Sequence, residues 1–102
     1  MANRIEVFEQ MMAGDPENTM VLFGLANEYL KNGDTEQGIE TLGIYLEKAD
    51  DEGAAYGMLS KALEDMGKIE EAKDALRKGI ETALSHGHPT MADEFQESLE
   101  QL

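Results

Sequence analysis

The chain repeats itself at a step of 34 residues, and that period constrains its fold more than any other feature. Lys31-Asn32-Gly33-Asp34 and Asp65-Met66-Gly67-Lys68 are near-matching turns whose glycines lie 34 apart. The same step carries Leu22, Leu25, Ala26 and Tyr29 onto Tyr56, Leu59, Ser60 and Leu63, and Gly38 and Leu42 onto Ala72 and Leu76. Intervals of three and four residues put each set on one helix face. A unit of this size cannot bury such a face alone, so neighbours must stack on it. One step back lies RIEVFEQMMAGDP, with Arg4, Phe8 and Pro16, the second half of a repeat whose first half is absent.

Local punctuation divides the chain into six helices. The first is expected over about 3–13, stopped by Gly14, since glycine tolerates the left-handed conformation that ends helices. The second runs over about 17–32 with acidic Glu17 at its positive end. Asp34, with Gln37 three residues on, is expected to cap a third helix reaching Lys48. A fourth covers about 52–66 and a fifth 69–85. After Gly87, Pro89 or Thr90 opens a sixth with Met91, Phe95, Leu99 and Leu102 in one apolar stripe. Several glycines fall inside these helices, at 24, 38, 43, 57 and 79, each costing about 1 kcal/mol against alanine. Close helix packing is the expected reason at Gly38 and Gly79.

These residues resemble the tetratricopeptide repeat pattern W-x2-L-G-x2-Y, then A-x3-F, then P, over 34 residues. Leu22-x2-Leu25-Ala26-x2-Tyr29 with Gly38-x3-Leu42 matches it, as does Tyr56-x2-Leu59-Ser60-x2-Leu63 with Ala72-x3-Leu76. Leu22 or Tyr56 stands in the tryptophan place, and of the closing prolines only Pro16 survives. The resemblance spans roughly residues 4 to 84. It implies an all-α fold, an alpha-alpha superhelix of antiparallel helix pairs, in a single domain of about two full repeats. The expected divisions are a half repeat over 3–16, repeat one over 17–50, repeat two over 51–86 and a capping helix over 89–102. Continued rigidly, the 34-residue step would turn Met91, Phe95 and Leu99 from the core to the inner side, so a one-residue slip in the SHGHP turn is expected.

Charge and composition narrow the function. The chain holds 22 acidic residues against 8 basic, a formal net charge of -14. Nucleic acid and anionic membrane surfaces are poor partners, because both require clustered lysine or arginine. The acidic residues are scattered, which fits a solvated surface better than a dedicated basic-partner site. With 102 residues there is room for one core and no second domain. Cysteine is absent, which excludes disulfides and thiolate metal sites. No apolar run approaches the roughly 18 residues of a membrane span, and residues 1–10 lack a signal-peptide run, so a cytoplasmic location is expected.

Catalysis finds no constellation to work with, and no enzyme is expected. His86 and His88, near Asp93 and Glu94, sit in a short turn without a third metal ligand at a diagnostic spacing and read as a polar turn. The ten glycines form no phosphate-binding or dinucleotide spacing, so neither cofactor nor metal is expected.

In the tetratricopeptide repeat family the first helix of each pair lines a concave groove, so the resemblance implies a module that binds a protein or peptide there. It assigns the groove to Met20, Phe23, Asn27, Leu30 and Lys31 on the second helix and to Ala54, Gly57, Met58, Lys61, Glu64 and Asp65 on the fourth, with the last helix as a further candidate. Phe23 lies about 100 degrees around from Leu22, off the core face, and is the expected apolar anchor, with Asn27 and Lys61 meeting a carboxylate beside it. The two-carboxylate clamp of co-chaperone members is not reproduced: Asn27 matches, but Phe23 replaces a lysine, Met58 an asparagine, and His88 and Ala92 stand at the two basic places. Negligible affinity for acidic chaperone-tail peptides is expected. The alternative is self-association as a homodimer through the outer side of Ile5, Phe8 and Met12, which lacks its usual neighbour.

Overall fold

Three glycine turns set the helix lengths. In the computed structural model, which describes residues 3–102, Gly33, Gly67 and Gly87 have φ of 85°, 77° and 76°. The amide after each glycine reaches back to a carbonyl of the last helical turn: Asp34 to Tyr29 at 2.9 Å, Lys68 to Leu63 at 2.9 Å and His88 to Ala83 at 2.8 Å. This is the six-to-one bond of a helix that closes through a left-handed residue, a conformation that costs glycine little. The fourth residue after each closing amide, Gly38, Ala72 and Ala92, is small and buried. A small residue there lets the returning helix approach closely.

Six helices result: α1 (Arg4–Gly14), α2 (Thr19–Lys31), α3 (Thr35–Lys48), α4 (Ala54–Asp65), α5 (Ile69–Ser85) and α6 (Pro89–Gln101). The described residues contain no strand. No helix among them is long and apolar enough to cross a membrane. The chain divides into two compact units, Met1–Ala49 and Asp50–Leu102. In the first, α2 packs against both α1 and α3; in the second, α5 packs against both α4 and α6.

Several helix ends differ from the sequence expectation, one through a backbone bond and the others through side chains that outcompete it. α1 continues through Gly14, which is not left-handed, and closes with the Asp15 amide on the Met11 carbonyl at 3.0 Å. α2 begins at Thr19 and not at Glu17, because the Asn18 side chain accepts the Val21 amide at 3.2 Å. Glu17 pairs instead with Lys48 Nζ at 3.0 Å. Asp34 does not cap α3 with its side chain, since its carboxylate takes the Asn32 amide group at 2.8 Å. α4 begins at Ala54, where the Asp51 carboxylate accepts the Gly53 and Ala55 amides at 2.9 and 3.0 Å and Gly53 turns the chain at φ 131°.

The core of the first unit is Val21, Leu22, Leu25, Ala26 and Tyr29 of α2 with Thr41 and Leu42 of α3. That of the second is alanine-rich, with Ala55, Ala62, Leu63, Ala72, Ala75, Leu76, Ala83 and Ala92. Tyr56 and Leu59, expected in the core, are half-buried, while Ser60 beside them is buried. Among the described residues no buried side-chain polar atom lacks a partner.

Candidate functional site

The face of α2 that the sequence assigned to a groove is partly occupied by the first unit itself, at Phe23 and Leu30. Phe23 stacks on Tyr45 of α3, ring centroids 5.1 Å apart and planes tilted by 56°. Packing therefore does account for Phe23, against the expectation, and the ring is half-buried. Leu30 lies over Gly38, where an added Cβ would stand 2.5 Å from Leu30 Cδ2. Leu30 is thus a helix-packing residue, and Gly38 is glycine to receive it. Lys31 borders a separate depression of about 430 Å³ with Asn3, Arg4 and Glu28, in which Arg4 Nε donates to Glu28 Oε1 at 2.8 Å. Asn27 is half-buried, and Met20 projects with 84% of its surface exposed.

The second unit does the opposite. A cleft of about 250 Å³ opens between α4 and α6, bordered by Gly57, Ser60, Lys61 and Glu64 on one side and by Phe95, Ser98 and Leu102 on the other, with Leu76 of α5 behind. The Phe95 ring lies between two glycines. A Cβ at Gly57 would stand 2.7 Å from Phe95 Cε1, and one at Gly79 would stand 2.9 Å from Cδ2 and Cε2. Neither glycine could be larger without moving the ring. Of the groove residues assigned to α4, Gly57, Lys61 and Glu64 border this cleft, whereas Ala54, Met58 and Asp65 do not.

Phe95, Ser98, Leu102, Ser60 and Leu76 were not assigned to a site residue by residue from the sequence. A signal for them was present. The 34-residue step that relates the turns also carries Phe23 onto Gly57 and Tyr45 onto Gly79. An aromatic pair becomes a pair of glycines, and the space so left receives Phe95. The sequence expectation was a one-residue slip that keeps the α6 stripe on the core and off the inner side. Phe95 serves both sides, half-buried on α4 and α5 while bordering the cleft; Met91, Leu99 and Leu102 are also half-buried, and Ala92 is the buried residue of α6.

Electrostatics differ between the units as well. In the first, burial and a 2.7 Å hydrogen bond from the Tyr29 hydroxyl to Glu9 Oε2 push the Tyr29 phenol up to about 12. In the second, His86 and His88 face Asp50 at 3.4 Å and Glu52 at 2.5 Å. The His86 Nδ1–H donates to the Thr82 carbonyl at 2.9 Å; this bond, then the Asp50 and Glu52 charges, raise its pKa above the ordinary value. The His88 bond lowers that of Glu52. No group of three or more such ligands among the described residues is placed to hold a metal.

Comparison with known proteins bears on this arrangement. A family model described as tetratricopeptide repeat matches residues 5–61, and a second of the same description matches residues 53–86. A TPR repeat-containing protein of Pseudomonas aeruginosa is 35% identical over 83 residues, covering 81% of this chain and 79% of its own. The solution structure of a protein from Bordetella parapertussis is similar with a TM-score of 0.82 at 25% identity, covering 99% of this chain and 88% of that one.

Proposed function

The chain belongs to the tetratricopeptide repeat family, and from that premise we propose that it holds a segment of another protein in the cleft between α4 and α6. Repeats of this family are generally protein–protein interaction modules. The observation that carries the finer reading is the Phe95 ring, half-buried over two glycines at a cleft whose rim bears Lys61 and Glu64. An aromatic at the centre of a depression with polar groups around it is the usual composition of an interface hot spot. Phe23 and Leu30 of α2 act through packing within the first unit in this reading.

Ser98 offers a direct test, being exposed, at the cleft and on no side-chain hydrogen bond among the described residues. Ser98→Trp fills the cleft without entering the core. Affinity capture from native lysate should lose its partner with this variant while circular dichroism stays unchanged. Capture of the same partner by both forms would remove the cleft from consideration.

Self-association through α1 is the second reading. Phe8 is not free for it, since its ring rests on Gly24 of α2. Val7 and Met11, one turn apart and 45% and 47% exposed, are the apolar residues that α1 presents. Sedimentation equilibrium showing a monomer at high concentration would end this reading.

A further inference from the structure

We infer that the segment held in the α4/α6 cleft is cationic, one apolar side chain flanked by lysines or arginines; this rests on the cleft being the docking site. The second unit sorts its charge by helix. α5 holds Lys73, Arg77 and Lys78 against four carboxylates, and two of those cations are bonded within the helix, Lys73 to Glu70 at 3.8 Å and Arg77 to Asp74 at 2.7 Å. The helices that border the cleft are different: α4 and α6 hold six carboxylates against Lys61 alone. Among the described residues, Glu64, Asp65, Asp93, Glu94 and Glu97 make no ion pair and no side-chain hydrogen bond. Glu100 accepts only the neutral amide of Gln96, at 3.3 Å.

α6 pays for this arrangement. Asp93 and Glu97 are four residues apart, Glu94 and Glu97 three, and Glu97 and Glu100 three, so like charges adjoin along the helix and each pair destabilises it. The last two also sit toward the negative end of the helix dipole. Nothing in the unit relieves them, and a cationic ligand would. α6 is about 20 Å long and the field of an exposed charge reaches about 8 Å at physiological salt, so a segment lying in the cleft stays within range of α6 carboxylates. Lys61 lies one turn from Glu64, which offsets it. The cleft itself, at about 250 Å³, is of the size for one large apolar side chain, since a cavity of about 150 Å³ holds a benzene ring. A second copy of this chain is a poor occupant, because two molecules of net charge -14 repel.

The test uses the full chain, labelled with ¹⁵N, and three five-residue peptides. Each has one central leucine, flanked by two lysines, two serines or two glutamates on either side. The lysine peptide should shift the amides of Gly57, Ser60, Phe95 and Ser98 and bind about tenfold more tightly than the serine peptide, with the glutamate peptide weakest. Raising the salt to 0.5 M should erase the lysine advantage, and Glu94→Gln with Glu97→Gln should halve it or more. Equal shifts at the cleft with the lysine and serine peptides would overturn the cationic assignment and leave the docking reading intact. Shifts confined to Asp93, Glu97 and Glu100 would overturn it too, by showing a lysine cloud on the outer side of α6. If no peptide moves the cleft amides, and Ser98→Trp retains its captured partner, the docking reading falls as well.

Discussion

The two units solve one packing problem in two ways. At matched places of the repeat, the first has Phe23 stacked on Tyr45 and the second has Gly57 beside Gly79, with the ring supplied by Phe95 of the following helix. At another matched place the first has Leu30, which covers Gly38, and the second has Glu64 at the cleft rim. The first unit uses Phe23 and Leu30 of its inner face to pack α2 on α3. The second moves the aromatic to α6 and leaves a cleft beside it. A repeat position thus fixes where a side chain sits, while its neighbours decide whether that side chain is structural or available to a partner.

The largest effect that separates the units should come from Phe95→Ala. Removing a half-buried ring that joins α6 to α4 and α5 should cost about 2–4 kcal/mol, toward the low end of buried aromatic truncations. Urea denaturation measures the total, and amide exchange should quicken first over residues 50–102. Slower exchange there than over 3–49 would show that α6 is not what holds the second unit.

Next comes alkaline pH, which should act on the first unit. The Tyr29 phenol stands above its ordinary value, at about 12, so its stabilisation is full below about pH 10 and is lost as pH rises through about 12. Two pH units correspond to about 2–3 kcal/mol at most. Melting curves between pH 9 and 12 should fall steeply for the native chain and much less for Tyr29→Phe. Parallel curves would remove the Glu9 hydrogen bond from the account. Smaller again, Phe23→Ala should cost about 1–2 kcal/mol, because a half-buried ring and one tilted stacking contact are lost. A change below a few tenths, seen in the same urea assay, would return Phe23 to the role of a free anchor.

These contrasts show what the sequence could and could not disclose. The 34-residue period, the glycine turns and the core residues of α2 were legible because each is a local rule repeated. Helix starts were less so: Asn18 and Asp51 cap α2 and α4 with side chains that outrank the acidic residues nearby. Phe23 was misassigned because helical angle alone says which way a side chain points, not whether Tyr45 waits there. The cleft was written in two substitutions across the repeat, Phe23 to Gly57 and Tyr45 to Gly79, which mean a cavity only once a third element is known to fill part of it. The rigid step carries Asn27 and Lys61 onto Phe95 and so placed it on the inner side, but it could not show that the same ring also packs over Gly57 and Gly79.

The smallest of the effects concerns the two histidines of the second unit. His86 is raised above its ordinary value of 6.5, first by the Thr82 carbonyl, so its contribution is complete below about pH 6.5 and is lost as pH rises through the higher folded value. Glu52 is lowered from 4.5 by His88, so its contribution is present above about pH 4.5 and is lost as pH falls through the lower value. Both are therefore fully present between roughly pH 4.5 and 6.5. Proton NMR should titrate His86 above a free histidine, and His86→Gln should flatten stability near neutrality. A His86 that titrates below 6.5 would show that burial outweighs the Thr82 and Asp50 contacts.

The central claim, that Gly57 and Gly79 are glycine in order to seat Phe95, is tested most directly by a double-mutant cycle of Gly57→Ala with Phe95→Ala, followed by urea denaturation. In the native chain the new Cβ would stand 2.7 Å from the ring, whose other edge faces Gly79, so the ring must leave its seat to admit it. Gly57→Ala should therefore destabilise. Without the ring the same change should stabilise by about 1 kcal/mol, the ordinary helix preference of alanine over glycine. Gly43→Ala, with nothing within 4 Å of its Cβ position, is the control in the first unit and should stabilise by a similar amount. A Gly57→Ala effect of the same sign and size in both backgrounds would contradict the claim.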